Sequence, residues 1–151
     1  MAQTRSALAL SVIVCMLGLT ACSGSGTGGP IINGPQACQP GTAVQLASPL
    51  PNQNGVPTNI GQIIIVANGN TNVLHDNPGV WLVTLSDNAG DAPIFGSSLN
   101  PVADPNGPHP YPSDFYYASN VTTLNAGRAY NVFLGRTDGT CQAVQVGSFS
   151  T

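Results

Sequence analysis

Apolar and polar residues alternate with a period of two over several short stretches of this chain, and that period belongs to strands that bury one face. Residues 42–47 place Val44 and Leu46 on one side. Residues 79–86 place Trp81, Val83 and Leu85 on one side and Val80, Leu82 and Thr84 on the other. Residues 128–136 place Tyr130, Val132 and Leu134 together, with Asn131 and Phe133 opposite. A different pattern occupies residues 62–67, where Ile63, Ile64, Ile65 and Val66 run without interruption, as expected of a central strand covered on both faces. The short piece 93–96 starts with Pro93 and fits an edge strand, where no partner needs the missing amide. Residues 114–120 and 121–124 form one bent strand or two. The last strand spans 141–149, with Val144 and Val146 out of phase with Phe149, so a bulge near Gly147 is expected.

The breaks between these stretches carry turn chemistry. Residues 48–57 hold Pro49, Pro51, Asn54-Gly55 and Pro57; Pro donates no hydrogen bond and Asn-Gly favours positive φ. Thr137-Asp138-Gly139-Thr140 reads as a hairpin turn. Residues 97–113, with Pro101, Pro105, Pro108, Pro110 and Pro112, form a loop longer than compact domains usually tolerate unless it is functional or mobile.

Composition narrows the class. Charged residues make up 6% of the 151 residues, and the sequence contains neither Lys nor Glu. Losing both charged helix formers leaves little material for solvent-facing helices, so an all-α fold is excluded. With 42% hydrophobic residues and a formal charge of −3, the chain lies far from charge-driven disorder. Three basic residues cannot neutralise a row of phosphates, which argues against a nucleic-acid partner.

The first thirty residues carry an address. Arg5 precedes an almost uncharged stretch, residues 6–21, that is short for a spanning helix and fits the hydrophobic region of an export signal. It ends in Leu19-Thr20-Ala21-Cys22, which resembles the lipobox of bacterial lipoproteins. The resemblance implies cleavage after residue 21 and acylation of Cys22 by diacylglycerol and further chains such as palmitate. Two or three acyl chains anchor firmly where one is marginal. Ser23 in place of Asp points to the outer membrane or cell surface, and the Gly/Ser-rich residues that follow read as a tether. A chain starting at Cys22 keeps two Arg against six Asp, a formal charge of −4.

Cysteine parity follows. With Cys15 removed and Cys22 acylated, Cys38 and Cys141 remain as an even pair in an exported chain and are expected to form a disulfide. A metal site at either position lacks the companion Cys or His spacing.

Strands at this spacing suggest a sandwich. Leu124-Asn125-Ala126-Gly127-Arg128-Ala129-Tyr130-Asn131-Val132 resembles the Leu-x-x-Gly-x-x-Tyr-x-Val corner of fibronectin type III and bacterial Ig-like domains. The entry from Ser48-Pro49 through Gly55-Val56-Pro57-Thr58-Asn59, and the ending Gly147-Ser148-Phe149-Ser150-Thr151, resemble those of bacterial Ig-like domains in surface-layer and other cell-surface proteins. The expected architecture is an all-β, Ig-like antiparallel sandwich of about seven strands. The expected organisation is a lipoprotein signal peptide at 1–21, a tether at 22–37 and the sandwich at 38–151.

Catalytic chemistry is sparse. His75 and His109 are the only His, and no Gly-x-Ser-x-Gly elbow nominates a nucleophile. Residues 87–91 (Asp-Asn-Ala-Gly-Asp) resemble an oxygen-rich calcium turn but lack the full ligand set, so an Asx-capped turn is the better reading. The candidate ligand-binding residues are His109, Tyr111, Tyr116 and Tyr117, on or beside the stiff Pro-rich loop, where exposed Tyr rings offer contact area at small entropy cost. The competing account sends Phe115 and one of Tyr116 or Tyr117 into the core. The sequence therefore reads as a noncatalytic, lipid-anchored envelope module without metal or other cofactor, held to membrane lipid through Cys22 and able to meet a protein or glycan ligand. The alternative is an envelope enzyme, or a sugar- or metal-binding domain, using Asp, His and the Tyr-rich loop.

Overall fold

A computed structural model describes residues 34–69 and 73–151. The signal peptide, Cys22 and nearly all of the expected tether lie outside the described residues. The described chain is a β-sandwich of two four-stranded antiparallel sheets. The first sheet has the order β1 (Val44–Ser48), β2 (Gln62–Asn68), β6 (Asp114–Asn120) and β5 (Asn100–Val102). The second has the order β4 (Ile94–Ser98), β3 (Trp81–Asp87), β7 (Ala129–Arg136) and β8 (Val144–Ser150). This is the strand order of immunoglobulin-type sandwiches, with one more edge strand beside β3.

Eight strands stand where about seven were expected, and the difference lies in the Pro-rich stretch. Residues 97–113 are not one loop: β4 runs on to Ser98, Leu99 is buried as the chain crosses between sheets, and β5 follows at once. Pro101 is tolerated in β5 because that strand is the outer edge of its sheet. Residues 121–124 do not form a second strand; Leu124 turns into the core while its N–H donates to the Thr58 carbonyl at 2.8 Å. One helical turn, α1 (Val73–Asp76), had no signal in the periodicity.

The core lies between the sheets. Leu46, Ile63, Ile65 and Tyr117 of the first sheet meet Trp81, Val83, Leu85, Tyr130, Val132, Leu134 and Phe149 of the second. A second apolar layer covers the outer face of the first sheet, where Ala47, Ile64, Val66, Tyr116 and Ala118 pack with Val102 and Tyr111. These two layers explain the unbroken apolar run of β2: its side chains are buried on both faces.

Backbone bonds and a bridge close the sandwich ends. Cys38 and Cys141 form a disulfide across 103 residues, beside a parallel bridge in which the Cys38 N–H donates to the Gln142 carbonyl at 2.8 Å. Residues 52–56 pair with the outer edge of β8: the Asn52 N–H donates to the Ser148 carbonyl at 2.7 Å and the Ser150 N–H to the Gln53 carbonyl at 2.8 Å. At the corner the buried Tyr130 hydroxyl accepts the Asn125 N–H at 2.9 Å, and its ring stacks on Phe149 with centroids 5.5 Å apart.

The bulge falls where the phase change in β8 requires it. Val132 pairs with Gly147 and Phe133 with Gln145, which leaves Val146 unmatched. At Gly147 the two sheets approach closely, because a Cβ there would lie 2.5 Å from the Leu46 Cβ. Leu46 has no exposed surface into which to retreat. Gly147→Ala is therefore expected to lower stability by about 1–3 kcal/mol, the range for overpacked cores, and a urea titration checks it. An unchanged midpoint would show that the sheets separate freely at this point.

Candidate functional site

The site is built by the Pro-rich strap, residues 103–113, which folds back over the outer face of β6. Strand alternation sends Asp114 and Tyr116 toward the strap and Phe115 and Tyr117 toward the opposite face. The strap is pinned by its own polar contacts. The Tyr116 hydroxyl donates to the Pro108 carbonyl at 3.0 Å, and the Tyr111 N–H donates to Asp114 Oδ1 at 3.2 Å. The Asn106 N–H donates to Asp104 Oδ1 at 2.8 Å, an Asx turn that accommodates the positive φ of Asn106.

His109 sits between two carboxylates. Its Nδ1 lies 3.0 Å from Asp114 Oδ2 and its Nε2 lies 3.4 Å from Asp104 Oδ2. The Tyr116 hydroxyl is 3.2 Å from the same Nδ1. Asp114 keeps only 7% of its side-chain surface exposed, whereas Asp104 keeps 43% and His109 keeps 59%. The result is a supported inner carboxylate and an open outer one. Together with Pro101, Val102 and Phe115 these groups line a cleft of about 450 Å³. Burial first, and the nearby Asp charges second, push the Tyr111 and Tyr116 hydroxyls above the ordinary phenol pKa, so both remain protonated donors.

The sequence-level candidates divide in two. His109, Tyr111 and Tyr116 meet in the cleft, while Tyr117 reaches it only at the floor and turns its hydroxyl to His75 Nδ1 on the other side. His75 Nε2 lies 3.0 Å from the Asn68 carbonyl, which can only accept, so Nε2–H donates there. Burial also raises the Tyr117 pKa. His75 and His109 thus belong to separate networks. Both Tyr116 and Tyr117 are buried, one on each face of β6, and Phe115 is the ring left open, at 47% exposure. Phe115 packs on His75, at 4.7 Å between centroids, and beside Gly69, where a Cβ would lie 2.5 Å from its Cε2.

Asp104 and Asp114 were missed as site residues. The signal available in the sequence was their position at the two ends of the Pro-rich strap. Among the described residues no three His, Cys or Asp side chains converge as metal ligands. At His109 the reason is geometric: the two carboxylates face different ring nitrogens and share no common point. The Asp87–Asp91 turn is an Asx turn, in which Asp87 Oδ1 accepts the N–H groups of Ala89 and Asp91, both at 3.1 Å. Burial acts to raise the Asp87 pKa, but these two donations and the Arg128 charge together hold it below the ordinary value.

Fold and site together define a disulfide-closed β-sandwich with a strapped, acidic cleft on the outer face of one sheet. Comparison with family models, curated proteins and solved structures finds no match for the chain.

Proposed function

We propose that this chain is a noncatalytic module of the bacterial cell envelope, anchored to the outer membrane or cell surface through acylated Cys22, and that it binds a protein or glycan ligand through the strapped cleft. The observation that carries this reading is the Cys38–Cys141 disulfide. Such bridges persist in exported proteins, and this pairing leaves Cys22 as the mature thiol available for lipid. The resemblance of residues 19–22 to a lipobox supplies the anchor, and the resemblance of the corner and closing strands to bacterial Ig-like domains supplies the display role.

The enzyme reading draws on one feature, the nearly buried Asp114 that holds His109 Nδ1 in the manner of a general-base dyad. Its weakness lies at Nε2, the nitrogen that would take a substrate proton, which already faces Asp104 at 3.4 Å. The binding reading uses the same groups without that conflict.

Metabolic labelling with an alkyne-bearing fatty acid tests the anchor. The full-length chain is expected to incorporate label and partition into detergent, while Cys22→Ala abolishes both. A mature chain with a free Cys22 thiol that partitions into the aqueous phase would overturn the proposal.

A further inference from the structure

We infer that the strapped cleft is a receptor for a Lys or Arg side chain presented by a partner polypeptide. This rests on the proposed binding role of the cleft and is independent of the lipid anchor. The first observation is charge left uncompensated. Both Arg of the described residues are engaged elsewhere: Arg128 with Asp87 and Asp91, and Arg136 with Asp138 and the face of Trp81. Asp104 and Asp114 therefore share His109 and no permanent cation. Two carboxylates beside a low-dielectric wall focus a negative potential into the cleft and favour a cation there.

The second observation is the shape and chemistry of the walls. Pro101, Val102 and Pro112 offer apolar surface beside the carboxylates. A long cationic side chain matches this division, since its methylene stem covers apolar surface while its charged head reaches the oxygens. An amino sugar carries the same charge without the stem, so the walls favour a polypeptide. A second copy of this sandwich is a poor occupant, because it contains no Lys and its two Arg are already paired.

Asp104 is the residue to test, since it is the open carboxylate. Asp104→Asn keeps an oxygen that can accept the Asn106 N–H and removes only the charge. The full-length chain, held in nonionic detergent, is titrated with tetralysine amide, with its fully acetylated form and with a glucosamine tetramer. The expected result is saturable binding of tetralysine, weakened about tenfold or more by Asp104→Asn, lost on acetylation and reduced by added salt. Melting temperature is read on the variant to confirm folding. Equal binding by wild type and a folded Asp104→Asn variant would overturn the inference. So would equal binding of the acetylated peptide, tighter binding of the sugar, or no binding of tetralysine. If the acetylated peptide or the sugar binds and Asp104→Asn leaves it unaffected, the cation receptor fails while a binding role survives; if no probe binds and fatty-acid labelling also fails, both readings fall.

Discussion

Removing the Cys38–Cys141 bridge is expected to cost the sandwich about a third or more of its stability. The bridge spans 103 residues, and for a closed loop of that length the chain-entropy account gives about 4–5 kcal/mol. Typical domains are stable by only about 5–15 kcal/mol, so the double variant Cys38→Ser/Cys141→Ser should unfold at a much lower denaturant concentration than the oxidised chain. The same shift is expected when wild type is measured with reductant, and the reductant should have no further effect on the double variant. The loss acts through the unfolded chain, which gains freedom, but the folded end has its own stake. The Cys38–Gln142 and Gln142–Gln36 backbone bonds, at 2.8 and 2.9 Å, hold the entering segment against the approach to β8. A reduced protein with an unchanged midpoint would mean that these bonds alone secure the segment and that the unfolded state is already compact.

How far the fold could be read from the chain depends on the range of the interactions that decide each element. Trp81, Val83 and Leu85 alternate cleanly, and β3 buries those three. The unbroken Ile63–Val66 run called for cover on both faces, and it has it. The phase slip in the last strand marked the bulge beside Gly147. These are local patterns, and each residue carries its own part of the signal. Strand β5 is different: three residues with a central Pro have no period to detect, and they become a strand only because β6 offers an edge. The turn α1 is likewise a single turn, too short for an apolar stripe.

The cleft was legible in part for the same reason. A stiff Pro-rich segment beside Tyr111 and Tyr116 marked the region, because Pro and Tyr declare themselves locally. The carboxylates did not, since Asp104 becomes a neighbour of Asp114 only when the strap folds back and places His109 between them. The burial of Tyr116 depends on the same fold-back. Phe115 shows the converse: its place in the β6 alternation pointed inward, but it pairs opposite Ala67 near the end of β2, where His75 and Gly69 cover the ring only in part.

Truncating Trp81 is expected to have the second largest effect. Its ring is 1% exposed and sits at the start of β3, in the same apolar cluster as residues from both sheets. Trp81→Ala should cost about 3–5 kcal/mol, the range for removing a large aromatic from a core, read from the denaturation midpoint. The size of the loss separates two contributions. The indole Nε1 is buried and has no hydrogen-bond partner among the described residues, so the polar part of this side chain works against the fold while its area works for it. Trp81→Phe removes the unpaired donor and retains much of the ring, and should recover more than half of the Ala deficit. The Arg136 guanidinium, 5.7 Å from the indole centroid, loses part of its ring contact in either variant, but it keeps Asp138 at 2.8 Å and with it its position. If Phe proves as damaging as Ala, the indole is held by shape at its far ring rather than by area, and the inner faces of the sandwich are packed around that one side chain.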